Sequence, residues 1–458
     1  MDSATLDAAL AAQRGYFATG ATLPLEARRA ALRRLYGELQ QREGDVAAAL
    51  RADLGKCPEE AYMCETGLLL GGIRYLERHL PALMRARRAP TPLAQFRARS
   101  FVSPSPLGAV LIISPWNYPF LLSLGPLAAA VAAGNTAVLK PASSAPASAA
   151  LIAEIIRSAF PPEHVLAVTG GREENAGLLD ARFDRIFFTG GAAAGREVLR
   201  RAAEHLTPVT LELGGKSPCI VDGTADIALA ARRIACGKLI NCGQTCVAPD
   251  YVLCDARVET ELLSALAAEF RRQCPDAFGD ENYGHMVNAR HFERVRALID
   301  PQKVVYGGGC DPHLLKIEPT LLAGVTAADA AMGEEIFGPV LPVLTYRTLD
   351  EAVAFVESRP RPLALYLFTR SRESKKRVLA RCRFGGGCIN DTVVHLTNEH
   401  LPFGGVGESG MGAYHGRRGF EEFSHLRGVM DRALRPDLPV KYRPFGAHTL
   451  ALLRRLMH

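Results

Sequence analysis

No stretch of the chain reaches the roughly 18 uninterrupted apolar residues that a membrane-spanning helix needs. The nearest candidate, 107–139, is broken by Pro115, Asn117, Pro119, Pro126 and Asn135. The N-terminus, MDSATLDAALAAQRGYF, has acidic residues early and no apolar segment leading to a small-residue cleavage site, so no export signal is expected. Charge of one sign is in short supply: 54 Lys plus Arg against 48 Asp plus Glu leaves +6, spread over 458 residues. That is far from the clustered basic stripe of a nucleic-acid footprint, and nucleic acid is excluded as a partner. The eleven cysteines are odd in number and irregular in spacing, which argues against a disulfide framework and for reduced thiols in a cytoplasmic setting. Among Cys236, Cys242, Cys246 and Cys254 there is no CxxC pair, so no metal site is expected. There is no internal repeat.

What is present is an ordinary folded composition, 48% apolar and 22% charged, in a chain long enough for about three domains. From Leu6 to Leu83 apolar residues recur at spacings of three and four, which predicts two or three helices. Between Arg85 and Pro106 that period is lost among Arg, Pro, Ser and Phe, and an exposed ribbon or linker is expected. Strand-like and helical runs then alternate. Strands are predicted at 109–113, 136–140, 165–169 and 185–188, with helices after Pro119, from Ser148, near Asn175 and from Gly195. Alternation of this kind argues for a parallel sheet covered on both faces. A second series follows Leu213, with strands at 217–221, 251–254, 304–306, 340–346, 364–369 and 387–390. The last segment, from Thr449, sets leucines beside arginines on a short helix, read as a cap on the body with weak peripheral membrane contact as the alternative.

Five stretches are candidates for chemistry. In Asn241-Cys-Gly-Gln-Thr-Cys246 a cysteine follows a small polar turn, where backbone N–H groups favour a thiolate; a structural thiol would prefer apolar neighbours. Glu212 sits in Thr210-Leu-Glu-Leu-Gly-Gly-Lys216, a carboxylate inside an apolar strand. Burial would raise its pKa toward that of a general base or acid, while pairing with Lys216 would make it structural. Asn117 lies just past a buried strand in Ser114-Pro-Trp-Asn-Tyr-Pro119, where its amide can donate to an oxyanion or cap a turn. Two glycine-rich stretches compete for phosphate. Gly405-Val-Gly407-Glu-Ser-Gly410 matches GxGxxG but has no strand before it, whereas Gly190-Gly191 through Gly195 follows a strand and opens a helix.

Together PWNYP (115–119), LELGGKSP (211–218), GQTCVAPDY (243–251), EEIFGP (334–339) and LPFGGVGESGMGAYHG (401–416) resemble the aldehyde dehydrogenase superfamily, specifically its class 3 branch of fatty and aromatic aldehyde oxidisers. The resemblance covers nearly the whole chain. It implies an α/β aldehyde dehydrogenase fold: a Rossmann-like dinucleotide-binding domain (1–84 and 107–213), an α/β catalytic domain (214–410), a bridging ribbon (85–106 and 423–437) that pairs two subunits into a homodimer, and a tail (438–458). It further implies Cys246 as nucleophile, Glu212 as general base, and Asn117 with the Cys246 backbone N–H as oxyanion hole. For the cofactor, NAD or NADP, it implies Glu335 and Phe337 at the nicotinamide ribose and ring, Lys140 at the adenosine ribose, and Trp116, Ser143, Gly190, Gly191, Gly195, Leu213 and Gly214 along its length.

The expected reaction is oxidation of medium- or long-chain aliphatic or aromatic aldehydes to acids through a cysteine thiohemiacetal and thioester. The alternatives are an acylating enzyme that passes the thioester to coenzyme A, which would not need Glu212, and a retired scaffold, which would not keep Cys246, Glu212 and Asn117 together. Two departures from the family bear on the cofactor. Ser143 stands where a glutamate is common, which leads to the expectation that NADP is used at least as well as NAD. Gly191 stands where serine is frequent, which loosens the phosphate turn.

Overall fold

The computed structural model describes residues 3–437 and 441–457. It opens with helices α1 (Ser3–Ala18), α2 (Leu25–Gln41), α3 (Glu43–Leu54), α4 (Pro58–Ala61) and α5 (Gly67–Met84), the last two joined by a π-helical turn, Tyr62–Thr66. The helical period predicts two or three helices here, and caps divide it further. Gly55 ends α3 in the left-handed conformation, and Pro58 occupies the first position of α4, where its missing N–H costs nothing.

Strands β1 (Arg87–Ala89) and β2 (Ala98–Pro106) form the ribbon foreseen at 85–106. The first α/β series follows: β3 (Ala109–Ile113), α6 (Pro119–Ala133), β4 (Thr136–Lys140), α7 (Pro146–Ala159), β5 (Val165–Ala167), α8 (Arg172–Asp180), β6 (Arg185–Gly190), α9 (Ala192–Ala203) and β7 (Val209–Leu213). The second comprises β8 (Pro218–Val221), α10 (Ile227–Leu239), β9 (Tyr251–Asp255), α11 (Glu259–Gln273), α12 (Ala289–Arg296), β10 (Val304–Tyr306), β11 (Cys310–Asp311), β12 (Lys316–Ile317), β13 (Thr320–Leu322), α13 (Ala330–Gly333), β14 (Val340–Tyr346), α14 (Leu349–Glu357), β15 (Ala364–Phe368), α15 (Arg372–Arg381) and β16 (Gly386–Ile389). The chain closes with β17 (Gly410–Met411), α16 (Gly416–Glu422), β18 (Ser424–Arg432) and α17 (Thr449–Met457). Of the tail foreseen at 438–458, residues 438–440 and His458 lie outside the described residues.

One sheet has the order β17-β7-β6-β3-β4-β5 and is parallel except for β17. Its inner strands β3 and β4 are buried along their whole length, as expected where helices cover both faces. The second sheet, β10-β13-β14-β9-β8-β15-β16, is parallel except at β10. A third, β1-β2-β18, pairs Ser424 with Pro106 and Arg432 with Ala98 across nine residues. The segment Gly405–Gly410 turns back to place Gly410 opposite Glu212 as an antiparallel edge of the first sheet, so its GxGxxG spacing serves a strand edge. A Cβ at Gly410 would lie 2.3 Å from the Leu211 carbonyl oxygen.

Close strand approach also explains Gly387, paired with Leu365, where a Cβ would sit 1.9 Å from the Leu365 carbonyl oxygen. Gly177, within α8, has nothing near that position. We therefore expect Gly387→Ala to destabilise the protein by about 1–3 kcal/mol, and Gly177→Ala to stabilise it by about 0.5–1 kcal/mol. Urea midpoints followed by circular dichroism would show shifts of opposite sign, and a shared sign would refute the argument.

Candidate active site

A cavity of about 730 Å3 lies where the carboxyl ends of β3, β6 and β7 face the segments that lead into β9 and β14. Parallel pairing puts those carboxyl ends side by side, with Gly190 opposite Leu213 and Ile113 opposite Phe188. Trp116, Asn117, Gly190, Gly191, Glu212, Leu213 and Gly214 enter the cavity wall from that side. Cys246, Glu335 and Phe337 enter it from the other. Ten of the thirteen residues predicted for the site thus share one cavity; Lys140, Ser143 and Gly195 do not line it.

Cys246 arrives through a turn in which Asn241, Cys242 and Gly243 have φ of 52°, 51° and 72°. A Cβ at Gly243 would lie 2.3 Å from the Gly338 carbonyl oxygen, so only glycine fits. Side chains hold the turn. Asn241 Nδ2 donates to the Asn117 carbonyl (2.8 Å) and the Gln244 carbonyl (3.1 Å), Gln244 Nε2 donates to Asn241 O (3.1 Å) and His285 O (3.0 Å), and Gln244 Oε1 accepts from Val287 N (3.0 Å). The turn also separates the two neighbouring thiols. Cys242 is buried in a cluster with Cys274, Ala277 and Tyr283, while Cys246 is half-buried at the cavity.

The Asn117 amide nitrogen donates to Gln244 O (3.0 Å), which leaves its second N–H for the cavity. Its own carbonyl accepts from both Asn241 and the Lys56 ammonium (2.9 Å). Lys56 in turn is paired with Glu65 (2.6 Å), and both side chains are almost wholly buried. Composition and spacing singled out neither residue. A lysine and a glutamate nine positions apart look like any pair on a solvated helical face, and only burial marks them.

Glu212 is 3% exposed, and among the described residues neither carboxyl oxygen has a hydrogen-bond partner. The structural alternative of a pair with Lys216 is therefore overturned: Lys216 bonds Asp250 and the carbonyls of Ala331 and Glu334. Burial, and then the Glu422 charge, push the Glu212 carboxyl well above its usual range. Glu335 is pushed up to about 8 by burial and by Asp250, against the Gly215 N–H, Lys216 and Arg294. The Cys246 thiol is raised by burial first and then by Glu335 and Glu212, partly offset by the backbone N–H groups of Cys246 and Val247.

The residues present fit a dinucleotide. The turn Gly190-Gly191 opens α9, whose first N–H groups have no intrahelical partner and can meet a diphosphate. Gly190 is held against Phe188 and Gly195 against Leu213, where a Cβ would lie at 2.6 and 2.9 Å, but a Cβ at Gly191 would meet open space. The expected loosening of this turn thus has no packing cause. Glu335 Oε1 is buried and has no hydrogen-bond partner among the described residues, so it can accept from ribose hydroxyls, and Phe337 meets Trp116 edge-on at 5.4 Å. Lys140 ends β4 with its ammonium on the carbonyls of Pro141 (2.9 Å) and Gly170 (2.8 Å), and Ser143 is exposed in the turn that follows.

Raised thiol pKa has a measurable consequence. In the cofactor-free protein the Cys246 thiolate fraction should grow about tenfold per pH unit between pH 7 and 9, because that range lies below the pKa. Iodoacetamide labelling followed by peptide mapping should show that slope at Cys246 and much slower reaction at buried Cys242; a plateau below pH 8 would refute it.

The chain matches the model of the aldehyde dehydrogenase family over residues 1–429. It is 43% identical over 441 residues to the 4,4'-diaponeurosporen-aldehyde dehydrogenase of Staphylococcus aureus, spanning 94% of this chain and 95% of that one. It is likewise 43% identical over 432 residues to the dimeric NADP-preferring aldehyde dehydrogenase of Canis lupus familiaris, spanning 94% and 95%. The solved substrate-bound state of Staphylococcus aureus AldH superposes with a TM-score of 0.96 at 41% identity, covering 99% of each chain. Matched by the family's model over nearly its whole length and sharing its fold with that solved structure end to end, this chain belongs to the aldehyde dehydrogenase family.

Proposed function

We propose that Cys246 is the nucleophile, Glu212 the general base and Asn117 the oxyanion-binding amide of an enzyme that oxidises aldehydes to carboxylic acids with NAD or NADP. The observation that carries this reading is the Glu212 carboxyl, buried in the same cavity as Cys246 with neither oxygen partnered among the described residues. Such a group is costly to bury unless its task is to take and return a proton.

The Cys246 thiol gives up its proton to solvent in the cavity, and the sulfur attacks the aldehyde carbon. The oxyanion so formed is held by the free N–H of the Asn117 amide and the backbone N–H of Cys246. A nicotinamide cofactor, when bound, would supply the acceptor for the hydride on that carbon, which leaves a thioester on Cys246. Glu335 and Phe337 would hold its ribose and ring, Trp116, Leu213 and Gly214 would flank it, and Gly190, Gly191 and Gly195 would seat the diphosphate. Glu212 then accepts a proton from water as that water attacks the thioester carbon, the C–S bond breaks, and the acid leaves. The unpartnered Glu212 favours this hydrolysis over transfer to coenzyme A, and the joint presence of Cys246, Glu212 and Asn117 argues against a scaffold.

The substrate side of the cavity is apolar, lined by Met63, Leu68, Leu121, Leu122, Val393 and Leu396, which suits medium- or long-chain aliphatic and aromatic aldehydes. The proposed division into dinucleotide-binding, catalytic and bridging parts is supported by the two large sheets and the ribbon. The free edges of β1 and β18, with Leu426, Val429 and Met430 exposed, support a homodimer. The unpaired cysteines suit a cytoplasmic setting. Among the described residues no helix is long and apolar enough to cross a membrane, and α17, with Leu450 and Leu452 exposed beside Arg454 and Arg455, leaves room for weak peripheral contact.

Glu212→Gln keeps the shape but cannot accept the water's proton, so a burst of reduced cofactor should precede a slow steady state; Cys246→Ser should show neither. Unchanged steady-state turnover in Glu212→Gln would sink the base assignment.

For the cofactor, Ser143 can donate to a 2′-phosphate that a glutamate would repel, with the buried Lys140 charge nearby. A charge-assisted hydrogen bond is worth about 1.5–3 kcal/mol, or roughly ten- to over a hundred-fold in preference. We expect NADP to be used at least as well as NAD and Ser143→Glu to move kcat/KM toward NAD. A strong wild-type preference for NAD that Ser143→Glu leaves unaltered would refute this.

A further inference from the structure

We infer that Lys56 and Glu65 are positioning residues for the oxyanion-binding side of the site. The inference rests on the assignment of Asn117 made above. Among the described residues, the side-chain hydrogen bonds of this ion pair, other than the one between its two members, all end on the segment that carries Asn117. One Lys56 N–H donates to Glu65 Oε1 (2.6 Å), another to the Asn117 carbonyl (2.9 Å), and the ammonium lies 4.1 Å from the centroid of the Tyr118 ring. Glu65 Oε2 accepts from Phe120 N (2.9 Å) and Leu121 N (3.3 Å), the opening N–H groups of α6, where a negative charge also meets the helix dipole. Two side chains thus grip residues 117, 118, 120 and 121.

The grip reaches the nucleophile through the same carbonyl. Asn117 O accepts from Lys56 and from Asn241 Nδ2, so both of its lone pairs are occupied. Asn241 belongs to the left-handed turn before Cys246, and its backbone N–H donates to Glu60 Oε1 (2.7 Å), one turn before Glu65. Rotation of the Asn117 peptide would break bonds to both. Burying two charges is a poor way to gain stability, since their desolvation can exceed their attraction. What a pair 1% and 0% exposed does supply is a fixed direction for the Asn117 backbone, and hence for its amide.

The test is the double variant Lys56→Met/Glu65→Gln, which removes both charges of the pair together, with Glu60, whose carboxyl Lys56 also favours, keeping its bond from Asn241 N. The only tryptophan, Trp116, adjoins Asn117 and reports on the turn by fluorescence. With circular dichroism unchanged, kcat should fall about 10- to 100-fold, as misplacement by an ångström can cost. The KM for the cofactor should stay within about threefold, and Trp116 emission should shift. Combined with Asn117→Ala, the double variant should lose less than the product of the two separate losses, because part of its effect passes through the Asn117 amide and only the rest through the turn before Cys246. Wild-type kcat in the folded double variant overturns the proposal, and so do losses that multiply in the combined variant. Wild-type kcat in Asn117→Ala alone would instead overturn the assignment of Asn117. Should the double variant not fold, Lys56→Arg keeps the charge and alters the donor geometry; a folded Lys56→Arg protein with lowered kcat supports the proposal, and one with wild-type kcat overturns it.

Discussion

The left-handed turn at 241–243 is the constraint on which the centre of the molecule depends. Left-handed backbone costs about 1–2 kcal/mol per non-glycine residue, and here two such residues precede a glycine. Contacts on several sides hold the conformation: the Gly338 carbonyl excludes any side chain at 243, and Asn241 and Gln244 bond backbone groups of residues 117, 241, 244, 285 and 287. The outcome is a division of labour between thiols four residues apart. Cys242 packs beside Tyr283 and Cys274, and Cys246 meets the cavity.

That cavity gathers more acid than it neutralises. Glu212 and Glu335 both have raised pKa values, and each raises the Cys246 thiol further. Lys216 is committed to Asp250, while fully buried Lys238, lowered to about 8 by burial, has no hydrogen-bond partner among the described residues. With Glu335 pushed up to about 8, that carboxyl keeps its proton near neutrality, where an exposed one would have lost it. Burial moves Glu212 in the same direction and so strengthens it as a proton acceptor.

The fold serves the site through its carboxyl edge. Parallel pairing aligns the ends of β3, β6 and β7, so residues 117, 190 and 214, far apart in the chain, become neighbours. The antiparallel strand β17 then seals the far side of β7 opposite Glu212. Glycines at 387 and 410 permit backbone contacts that any side chain would prevent.

Much of this was legible in the residues. The alternation of apolar runs placed β3, β4 and β14 at their observed bounds, because buried parallel strands must be continuously apolar; the short antiparallel β10, only half-buried, was placed by its run Val304-Val-Tyr306. Motif context separated Gly190–Gly195 from the GxGxxG at 405, because a phosphate turn needs a strand before it and a helix after it. Cys246, Glu212 and Asn117 each carried a structural reading as well as a chemical one, and it was the five motifs taken together, through the family they resemble, that set the three side by side. The subdivision of the first 84 residues was less legible, since caps at Gly55 and Pro58 interrupt a period that itself continues. Partnership was not legible at all. Local sequence allowed Glu212 to pair with Lys216 four residues on, yet Lys216 reaches Asp250 and leaves Glu212 alone. Nor did spacing reveal that Lys56 and Glu65 would be buried beneath Asn117, or that Lys140 would spend its donors on the carbonyls of Pro141 and Gly170. Residue type and local pattern determined which groups were available and on which elements. Only tertiary structure decided which of them lost water and which found a partner, because desolvation and hydrogen bonding depend on atoms brought together from distant parts of the chain.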